Sequence, residues 1–312
     1  MTTISKARGL YRFALAGATV LSLAAAGCTR PGESIKIDGS STVLPISTAA
    51  AEQFRKEHPQ TRLSVTSSGT GAGLGKFING EIDICDASRQ IKPSEVERLE
   101  EAGIGFVEFV VAFDGIAVVV NADNDWVDSI SVEQLASLWR PENPANTWSE
   151  VDPAWPDEEV SLYGPNPDNG TFDYFTEHVV GEEKSCRSDY SMSEDDNVLV
   201  TGVSQDKNSL GYFGFAYYSE NADKLKVVPI RRGDSEPVAP SLQTIRSNEY
   251  APLSRPLYIY VRQSLLERPV GAEFVKFYID NAGDLAKRAQ YVPVSDEVAE
   301  ENQTKLQAAL GA

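Results

Sequence analysis

A unit of strand, polar turn and helix occurs twice in succession near the beginning of the chain. The first unit has a predicted strand at Ile35–Asp38, a turn with the sequence GSSTVLP, and apolar residues at helical spacing after it. The second has a strand at Arg62–Thr66, a turn at Ser67–Gly73 and a helix at Leu74–Asn79. Strands that alternate with helices predict a largely parallel sheet. Ligands bind such sheets beyond the carboxyl ends of the strands, where both turns lie.

The remaining sequence predicts a second α/β lobe and two places where the chain crosses between lobes. Residues 106–120 are nearly all apolar, which predicts two consecutive buried strands that meet at Asp114-Gly115, and we place the first crossing there. Alternating residues at 255–261 predict the strand that returns to the first lobe. Prolines and three tryptophans within residues 139–161 predict an irregular loop packed by aromatic side chains.

A third polar turn, in the segment GPNPDNGTFDYF, follows the predicted strand Val160–Tyr163 and enters a helix. Three such turns offer many neutral N–H and O–H donors and helix N-termini, which suit a dehydrated oxyanion. The glycines of the second turn do not fit a dinucleotide loop, because Leu74 and Lys76 stand where glycine is needed. Phe77 stands where a P-loop needs Ser or Thr. For each turn alone, a flexible surface loop is the alternative.

The first 27 residues predict a lipoprotein signal peptide. Three basic residues precede an apolar run that ends at Gly27-Cys28, and the run is too short for a membrane-spanning helix. We therefore expect export and a lipid anchor at Cys28 that holds the protein to a membrane, in the periplasm or at the cell surface. Cleavage without lipidation, which would leave a free thiol, is the alternative.

The mature chain is strongly acidic. The full sequence has a net charge of −18, and the predicted signal peptide carries three basic residues and no acidic one, so the chain from Cys28 has a net charge of −21. Nucleic acid is excluded as a partner because binding it requires a basic surface. The other cysteines, Cys85 and Cys186, are compatible with one disulfide or with two separate thiols in an exported protein.

Six segments of the sequence, in order, resemble the substrate-binding lipoproteins of the high-affinity phosphate ABC transporter. They are IDGSSTVLPI, SSGTGAGLGKFINGEIDICDASRQIK, FDGIAVVVN, GPNPDNGTFDYF, SEDDNVLVTGVSQDKNSLGYFGFAYY and YVPVSD. The resemblance implies an α/β fold of the two-lobed type II periplasmic-binding kind. Each lobe then has a mixed, mostly parallel sheet flanked by helices, and two hinge crossings join the lobes. We expect lobe 1 to comprise residues 34–114 and 256–312, and lobe 2 to comprise residues 115–255.

The same resemblance implies that inorganic phosphate binds in the cleft between the lobes. The implied phosphate-binding residues are Ser41, Thr42, Ser68, Gly69, Thr70, Arg89, Asp168, Asn169, Gly170 and Thr171. Arg89 lies where a better-known branch of the family has aspartate, and we interpret it as the one full positive charge of the site. A surface salt bridge is the alternative for Arg89. Asn169 replaces the serine of the usual D-S-G-T turn, so that an amide stands in place of a hydroxyl donor.

Selectivity for phosphate over sulfate requires a hydrogen-bond acceptor, because hydrogen phosphate carries a proton and sulfate at neutral pH does not. Asp114 and Asp168 are the candidate carboxylates. We favour Asp114, since Asp168 could cap its helix instead. Asp38 and Asp86, which lie next to the first two turns, are interpreted as structural.

The sequence favours a binding protein over an enzyme. Neither His58 nor His178 is placed as a general base beside a serine turn, and we find no histidines and carboxylates at metal-ligand spacing. We expect no cofactor, a monomer, and the permease subunits of an ABC transporter as partners. The alternatives are a binding protein for sulfate, molybdate or tungstate on the same fold, and a lipid-anchored phosphate sensor.

Overall fold

The computed structural model describes residues 33–167 and 169–311. The predicted signal peptide and Cys28 lie outside the described residues, and so do Asp168 and Ala312. Within the described ranges, no helix has the length and apolar character needed to span a bilayer.

The described residues form eleven strands, thirteen α-helices and one π-helical turn at Thr176–Val180. The strands are β1 (Ser34–Gly39), β2 (Arg62–Val65), β3 (Ile84–Ala87), β4 (Phe106–Asn121), β5 (Ile130–Ser131), β6 (Ser161–Gly164), β7 (Ser191–Met192), β8 (Ser209–Gly214), β9 (Leu225–Val227), β10 (Ile230–Arg231) and β11 (Ser254–Arg262). The helices are α1 (Leu44–Glu57), α2 (Thr70–Ile78), α3 (Pro93–Glu101), α4 (Val132–Trp139), α5 (Trp148–Val151), α6 (Gly170–Phe175), α7 (Asp196–Gln205), α8 (Phe215–Glu220), α9 (Leu242–Arg246), α10 (Gln263–Leu266), α11 (Pro269–Asp280), α12 (Ala282–Arg288) and α13 (Asp296–Leu310).

Nine of these strands form one continuous mixed sheet in the order β2-β1-β3-β11-β4-β8-β6-β7, with β9 also paired to β4. Strand β1 is parallel to β2 and β3, and α1 and α2 make the connections between them, as the repeated unit predicted. Strand β11 is antiparallel to both of its neighbours, β3 and β4. At the other end of the sheet, β6 is parallel to β7 and β8.

Strand β4 is a single strand where the sequence predicted two. It continues through Asp114-Gly115, and what changes there is its partner: Phe106–Gly115 pairs with β11, and Ile116–Val120 pairs with β8. The prediction of two strands was wrong because this mostly buried apolar run contains no residue that must end a strand. Gly115 does not end the strand. Its lack of a side chain makes room for Ile245, because an added Cβ would lie 2.5 Å from Cδ1 of that residue.

The two halves of β4 contribute to different hydrophobic cores. Val111 packs in a core with α1, β11 and the helices near the end of the chain, whereas Val118 packs in a core that contains Trp139 and Trp148. Both tryptophans are wholly buried, which confirms the predicted aromatic packing, although the short helix α5 interrupts the predicted loop. Burial of each such side chain stabilises the fold by about 2 kcal/mol or more.

The two remaining cysteines are both free thiols, so the alternative of a disulfide between them is not realised. Cys85 is buried in a core with α2, and Cys186 packs against the core of the tryptophans. Burial raises the pKa of the Cys186 thiol to about 11, which leaves it protonated at neutral pH.

Glycines allow the first two turns to pack directly against each other. Gly39 has a φ of +145°, and an added Cβ there would overlap the carbonyl oxygen of Asp86. At Gly73 an added Cβ would lie 2.6 Å from Cα of Gly39. The backbone N–H groups of Ser68 and Gly69 both donate to the carbonyl oxygen of Gly39, at 3.1 and 2.8 Å. The two turns are therefore held together through their backbones.

Asp86, in β3, is a buried carboxyl group next to the first turn. Its Oδ1 accepts a hydrogen bond of 2.8 Å from Oγ of Ser47, which lies 2.9 Å from the hydroxyl of Tyr278. Burial raises the pKa of Asp86 to about 8; the hydrogen bond from Ser47 opposes this shift, and the charge of Asp38 adds to it. The backbone of Asp86 also supports the first turn, because its carbonyl oxygen accepts from the N–H of Ser40 at 2.8 Å.

We expect the Asp86→Asn substitution to flatten the pH dependence of stability. The folded protein holds a proton on Asp86 up to about pH 8, whereas the unfolded chain loses it near pH 3.8. Between these values the unfolded state binds fewer protons, so the contribution of Asp86 to stability falls as pH rises, by up to about 1.4 kcal/mol per pH unit. Urea denaturation of both proteins at pH 5, 6 and 7 measures the difference. Equal slopes in the two proteins would show that Asp86 is ionised in the folded state.

Candidate functional site

A cleft of about 810 Å³ lies at the carboxyl ends of β1, β2 and β3. Its walls also contain residues of α6, of the loop before β11 and of the start of β11. The predicted site residues that line the cleft are Ser41, Thr42, Ser68, Gly69, Thr70, Arg89 and Gly170. Asp114, Asn169 and Thr171 are not part of its walls, and Asp168 lies outside the described residues.

Helices α1 and α2 begin at the cleft, and neither has a side-chain cap at its N-terminus. Their N-cap positions are occupied by Val43 and Gly69, whereas α4 and α13 are capped by Ser131 and Ser295. The first N–H groups of an α-helix have no partner within the helix. The dipoles of both helices favour an anion beside their N-termini. Of the two, only α2 has N–H groups left to offer, because Leu44 and Ile46 of α1 already donate to the carbonyl oxygens of Ser40 and Val43, and Pro45 has no N–H group.

Hydroxyl groups surround these helix N-termini. Thr42 is almost fully buried, and its Oγ1 accepts a hydrogen bond from another residue of the site, described below. Oγ1 of Thr70 lies 3.2 Å from Oγ of Ser88 and accepts from the N–H of Ser88 at 3.2 Å. Ser88 lines the cleft and was not predicted. It follows β3 in the sequence DASR, where a hydroxyl after a third parallel strand is the sequence signal for it.

The third turn approaches the first turn across the cleft. An added Cβ at Gly170 would lie 2.9 Å from Oγ1 of Thr42, so only glycine fits there without displacing Thr42. Asn169 is the N-cap of α6, and its Oδ1 accepts from the N–H of Thr171 at 2.8 Å. The sequence analysis expected Asn169 to offer its amide N–H groups to the ligand. In the structure its oxygen caps the helix, as short polar side chains at this position commonly do, and the amide nitrogen takes no part in that bond, so its role as a donor stays a prediction.

Arg89 lines the cleft, and its charge is already paired. Its Nη1 and Nη2 each donate to one carboxylate oxygen of Glu95, both at 2.9 Å. Oε2 of Glu95 also accepts from the N–H of Lys92 at the start of α3. This bidentate pair is the arrangement that arginine prefers, and it neutralises most of the charge that Arg89 brings to the cleft. Arg89 is therefore not the single free positive charge that the sequence analysis expected.

Arg255, at the start of β11, is the arginine that connects the parts of the site. Its Nε and Nη2 donate to Oδ2 of Asp114 at 3.2 and 3.1 Å, and Nη2 also lies 3.0 Å from Oγ1 of Thr42. Its guanidinium carbon lies 3.6 Å from the centre of the Tyr174 ring. The hydroxyl of Tyr174 in turn donates to the carbonyl oxygen of Ser254 at 3.1 Å. Arg255 thus contacts the first turn, α6 and β4 at once.

Asp114 lies behind Arg255 instead of on the cleft wall. Only 2% of its side chain is exposed, against 12% for Arg255. Burial raises the pKa of Asp114, and the charge of Arg255 opposes that shift. The sequence analysis favoured Asp114 as the carboxylate that faces the ligand. Asp114 does not line the cleft, because β4 continues as a strand through this residue. Its neighbour across the strand pair is Arg255 in β11, and its side chain contacts that residue.

Comparison with known proteins agrees with this geometry. A family model described as the PBP superfamily domain matches residues 24–282. Protein SphX of Synechocystis sp. is 43% identical over 293 residues, which cover 93% of this chain and 86% of that protein. Phosphate-binding protein PstS of Staphylococcus haemolyticus is 42% identical over 258 residues, which cover 82% of this chain and 80% of that protein. The chain belongs to the PBP superfamily and, within it, to the PstS family.

A solved structure of a PBP-superfamily relative confirms the predicted fold. The crystal structure of a possible phosphate binding protein from Planctomyces limnophilus has a TM-score of 0.86 and 46% identity to this chain. It covers 89% of this chain, and this chain covers 99% of it. The two-lobed α/β architecture and the family resemblance predicted from the sequence are therefore both confirmed.

Several cleft residues of this PstS-family chain besides Ser88 were not predicted from the sequence. Among them are Asp173, Tyr174 and Arg255. Asp173 and Tyr174 stand in the segment GPNPDNGTFDYF, but were interpreted only as part of a helix. Arg255 was interpreted only as part of an alternating strand. Among the described residues, no group of three or more His, Cys, Asp or Glu side chains is arranged to hold a metal ion.

We expect the Asp114→Ala substitution to destabilise the fold through Arg255. Removal of one partner of a buried ion pair leaves the other charge uncompensated, which costs about 3 kcal/mol or more. The lower end of that range applies because Arg255 retains some access to water at the cleft. Urea denaturation measures the change. As a control, the double variant Asp114→Leu with Arg255→Met should recover part of the lost stability; no recovery would show that the pair itself is not the cause.

Proposed function

We propose that this protein binds inorganic phosphate in the cleft and delivers it to the permease subunits of an ABC transporter. The observation that carries the proposal is the convergence of the uncapped N-terminus of α2, the hydroxyls of the first two turns and Arg255 on one cleft. The names of its relatives support it, since one is a phosphate-binding protein PstS and another a possible phosphate binding protein. The protein is then a binding protein and not an enzyme.

Phosphate would be held by neutral donors around one arginine. The first two turns offer their hydroxyls, and the start of α2 offers its N–H groups. Arg255 supplies the positive charge, and Asp114 holds the guanidinium in place instead of contacting the ligand. The proposed contacts on the cleft wall are Ser41, Thr42, Ser68, Gly69, Thr70, Arg89, Gly170 and Arg255. Asp168, Asn169 and Thr171 stay predictions.

We propose hinge motion near residues 112–116 and 253–257, with the lobe boundaries predicted from the sequence. Strands β4 and β11 are paired through these segments, so a change of angle there would move both lobes. The close approach of Gly170 to Thr42 supports this, because phosphate at these two turns would contact both lobes and favour the closed state.

The location and the partners follow from the same proposal. Export, a lipid anchor at Cys28 and a monomer that docks on permease subunits fit a binding protein that supplies a transporter. No cofactor is needed for such a role. A phosphate sensor without a transporter would use the same cleft, and a binding protein for another oxyanion would use the same turns.

We expect the purified protein, stripped of ligand by partial unfolding and refolding, to bind phosphate with a Kd of about 1 μM or lower. Sulfate and molybdate at a hundredfold higher concentration should release little heat and should not displace phosphate. Isothermal titration calorimetry at pH 7 measures all three anions. Tight binding of sulfate or molybdate with no binding of phosphate would reject phosphate as the ligand.

We expect Arg255 to contribute more to phosphate affinity than Arg89. To avoid an unpaired buried charge, Arg255→Gln is combined with Asp114→Asn, and Arg89→Gln is combined with Glu95→Gln. Loss of a hydrogen bond to a charged group costs about 1.5–3 kcal/mol, so the first pair should lower affinity by about 10- to 150-fold. The second pair should lower it by less than about tenfold, because Glu95 occupies both Nη atoms of Arg89, whereas Nη1 of Arg255 makes no hydrogen bond among the described residues. A larger loss in the Arg89 pair would restore Arg89 as the principal charge of the site.

A further inference from the structure

An apolar groove of about 460 Å³ lies between β7 and α7 and shares no lining residue with the phosphate cleft. Met192 and Val198 line it, and they are 47% and 56% exposed. The ring of Tyr163 packs against Gly202, where an added Cβ would overlap Cε1 of that ring, so no side chain of α7 fills this part of the groove. Single exposed apolar side chains are normal, but two that line one groove are typical of an interaction site.

Strand β7 leaves one edge of the sheet open beside this groove. It is the last strand of the nine-stranded sheet, and among the described strands it pairs only with β6. Proteins commonly protect such an edge with charged residues, proline or a covering segment, because an open edge invites other chains. Here the edge strand has the exposed apolar side chain of Met192 instead. The surface therefore combines an open strand edge with apolar side chains that no described residue covers.

The groove is connected to the phosphate cleft through the third turn. Met192 is paired with Gly164, the last residue of β6, and the third turn begins directly after that residue. Oε1 of Glu194, which follows β7, accepts from Nδ2 of Asn166 in the third turn at 2.8 Å. The turn then enters α6 at Gly170, which lines the cleft. A partner docked on the groove would therefore lie beside the turn that is proposed to contact phosphate.

The charges beside the groove specify the chemistry of a partner. The segment that joins β7 to α7 contains three consecutive acidic residues, and two of them, Glu194 and Asp195, are exposed. A second copy of this chain is disfavoured as the occupant, because its own acidic segment and its net charge of −18 would be repelled. Basic side chains are favoured there for the same reason. Among the described residues, the polar side chains that line the groove are uncharged: Ser191, Asn197, Thr201 and Gln205.

We propose that this groove is the surface that docks on a permease subunit of the transporter, where it takes an apolar side chain flanked by lysine or arginine. The proposal rests on the proposed function, because it assigns a surface to the partner named there. The apolar side chain would cover Met192 and Val198, and the basic side chains would face Glu194 and Asp195. Such a site has the apolar centre and polar rim of a protein interface. Its charges orient the encounter, and its apolar contacts hold the complex.

The first test is the uptake of radiolabelled phosphate by cells of the source organism that carry only a variant of this gene. Met192→Asp with Val198→Asp should lower the uptake rate by at least about tenfold, because it places charge where apolar contact is needed. The matched control is Leu242→Asp with Leu310→Asp, at the other two exposed large apolar side chains of the described residues. The control should leave uptake within about twofold of the wild-type rate. Wild-type uptake in the first variant would overturn the proposal.

Two measurements show that a loss of uptake comes from docking. Calorimetry with phosphate should give the wild-type affinity for both double variants, since neither changes the cleft, and thermal melts show that each is folded. Glu194→Gln with Asp195→Asn removes only the charge: asparagine keeps the N-cap of α7, and glutamine still accepts from Asn166. This third variant should lower uptake by about threefold, as expected for exposed charge pairs. Higher uptake in it than in the wild type would overturn the assignment of a basic partner.

The second test is photo-crosslinking in intact cells, with a photoreactive amino acid in place of Met192 or of Leu242. The probe at position 192 should form a crosslink to a permease subunit, identified by mass spectrometry, and the probe at position 242 should not. Added phosphate should keep or raise the yield at position 192, because the loaded protein is the form that delivers its ligand. A crosslink from position 192 only to another copy of this chain, or no crosslink at all, would overturn the proposal.

Failure of the docking surface and failure of the proposed function are distinguishable. If the wild-type protein binds phosphate and supports uptake, and Met192→Asp with Val198→Asp does so equally, the groove is not the docking surface and the proposed function stands. If the wild-type protein does not bind phosphate, or binds it without supporting uptake, the proposed function fails and the docking surface falls with it. Lost uptake with retained phosphate binding, together with the crosslink from position 192, supports both.

Discussion

The ion pair between Arg255 and Asp114 is the contact on which the arrangement of the cleft depends. It joins β4 and β11 at the place where β4 changes its partner. The same guanidinium also contacts Thr42 in the first turn and the ring of Tyr174 in α6. A buried pair of this kind adds little to net stability, because both charges lose their hydration. The pair instead fixes the orientation of the Arg255 side chain. Because that side chain is already ordered, it loses little conformational entropy when a ligand binds.

The acidity of the chain is compatible with an anion site because net charge acts at long range, whereas the contacts within the site act at hydrogen-bond distance. The net charge of −18 on the full sequence repels an anion at long range, but salt at physiological concentration screens such repulsion beyond about 8 Å. Within the cleft, the ligand would contact N–H groups, hydroxyls and Arg255 directly. These interactions act at hydrogen-bond distance in a partly desolvated site, where they are stronger than in water. Surface charge therefore affects the rate of encounter more than the strength of binding.

Much of the fold could be predicted from the sequence, but the directions of side chains could not. The repeated strand, turn and helix located two turns correctly, because glycine, hydroxyl and apolar patterns report on the backbone. The pairing of Asp114 with Arg255 could not be predicted from the sequence, because the two residues are 141 positions apart and meet only through strand pairing. Asn169 was assigned as a donor because its residue type permits both roles, and only the helix that begins after it makes its oxygen a cap. Arg89 lies at the cleft as expected, yet its pairing depends on where α3 places Glu95.

Selection between hydrogen phosphate and sulfate depends on the chemistry of the two anions. Hydrogen phosphate and sulfate are both dianions near neutral pH, with the same tetrahedral shape. A positive charge therefore attracts them about equally and cannot select between them. N–H and O–H donors fail for the same reason, because both ligands accept hydrogen bonds. Only a group that accepts can detect the single difference, which is one proton. Among the described residues that line the cleft, Asp173, Glu177 and Glu183 carry the carboxylates, and a carboxylate is a group at which that difference changes the free energy of binding.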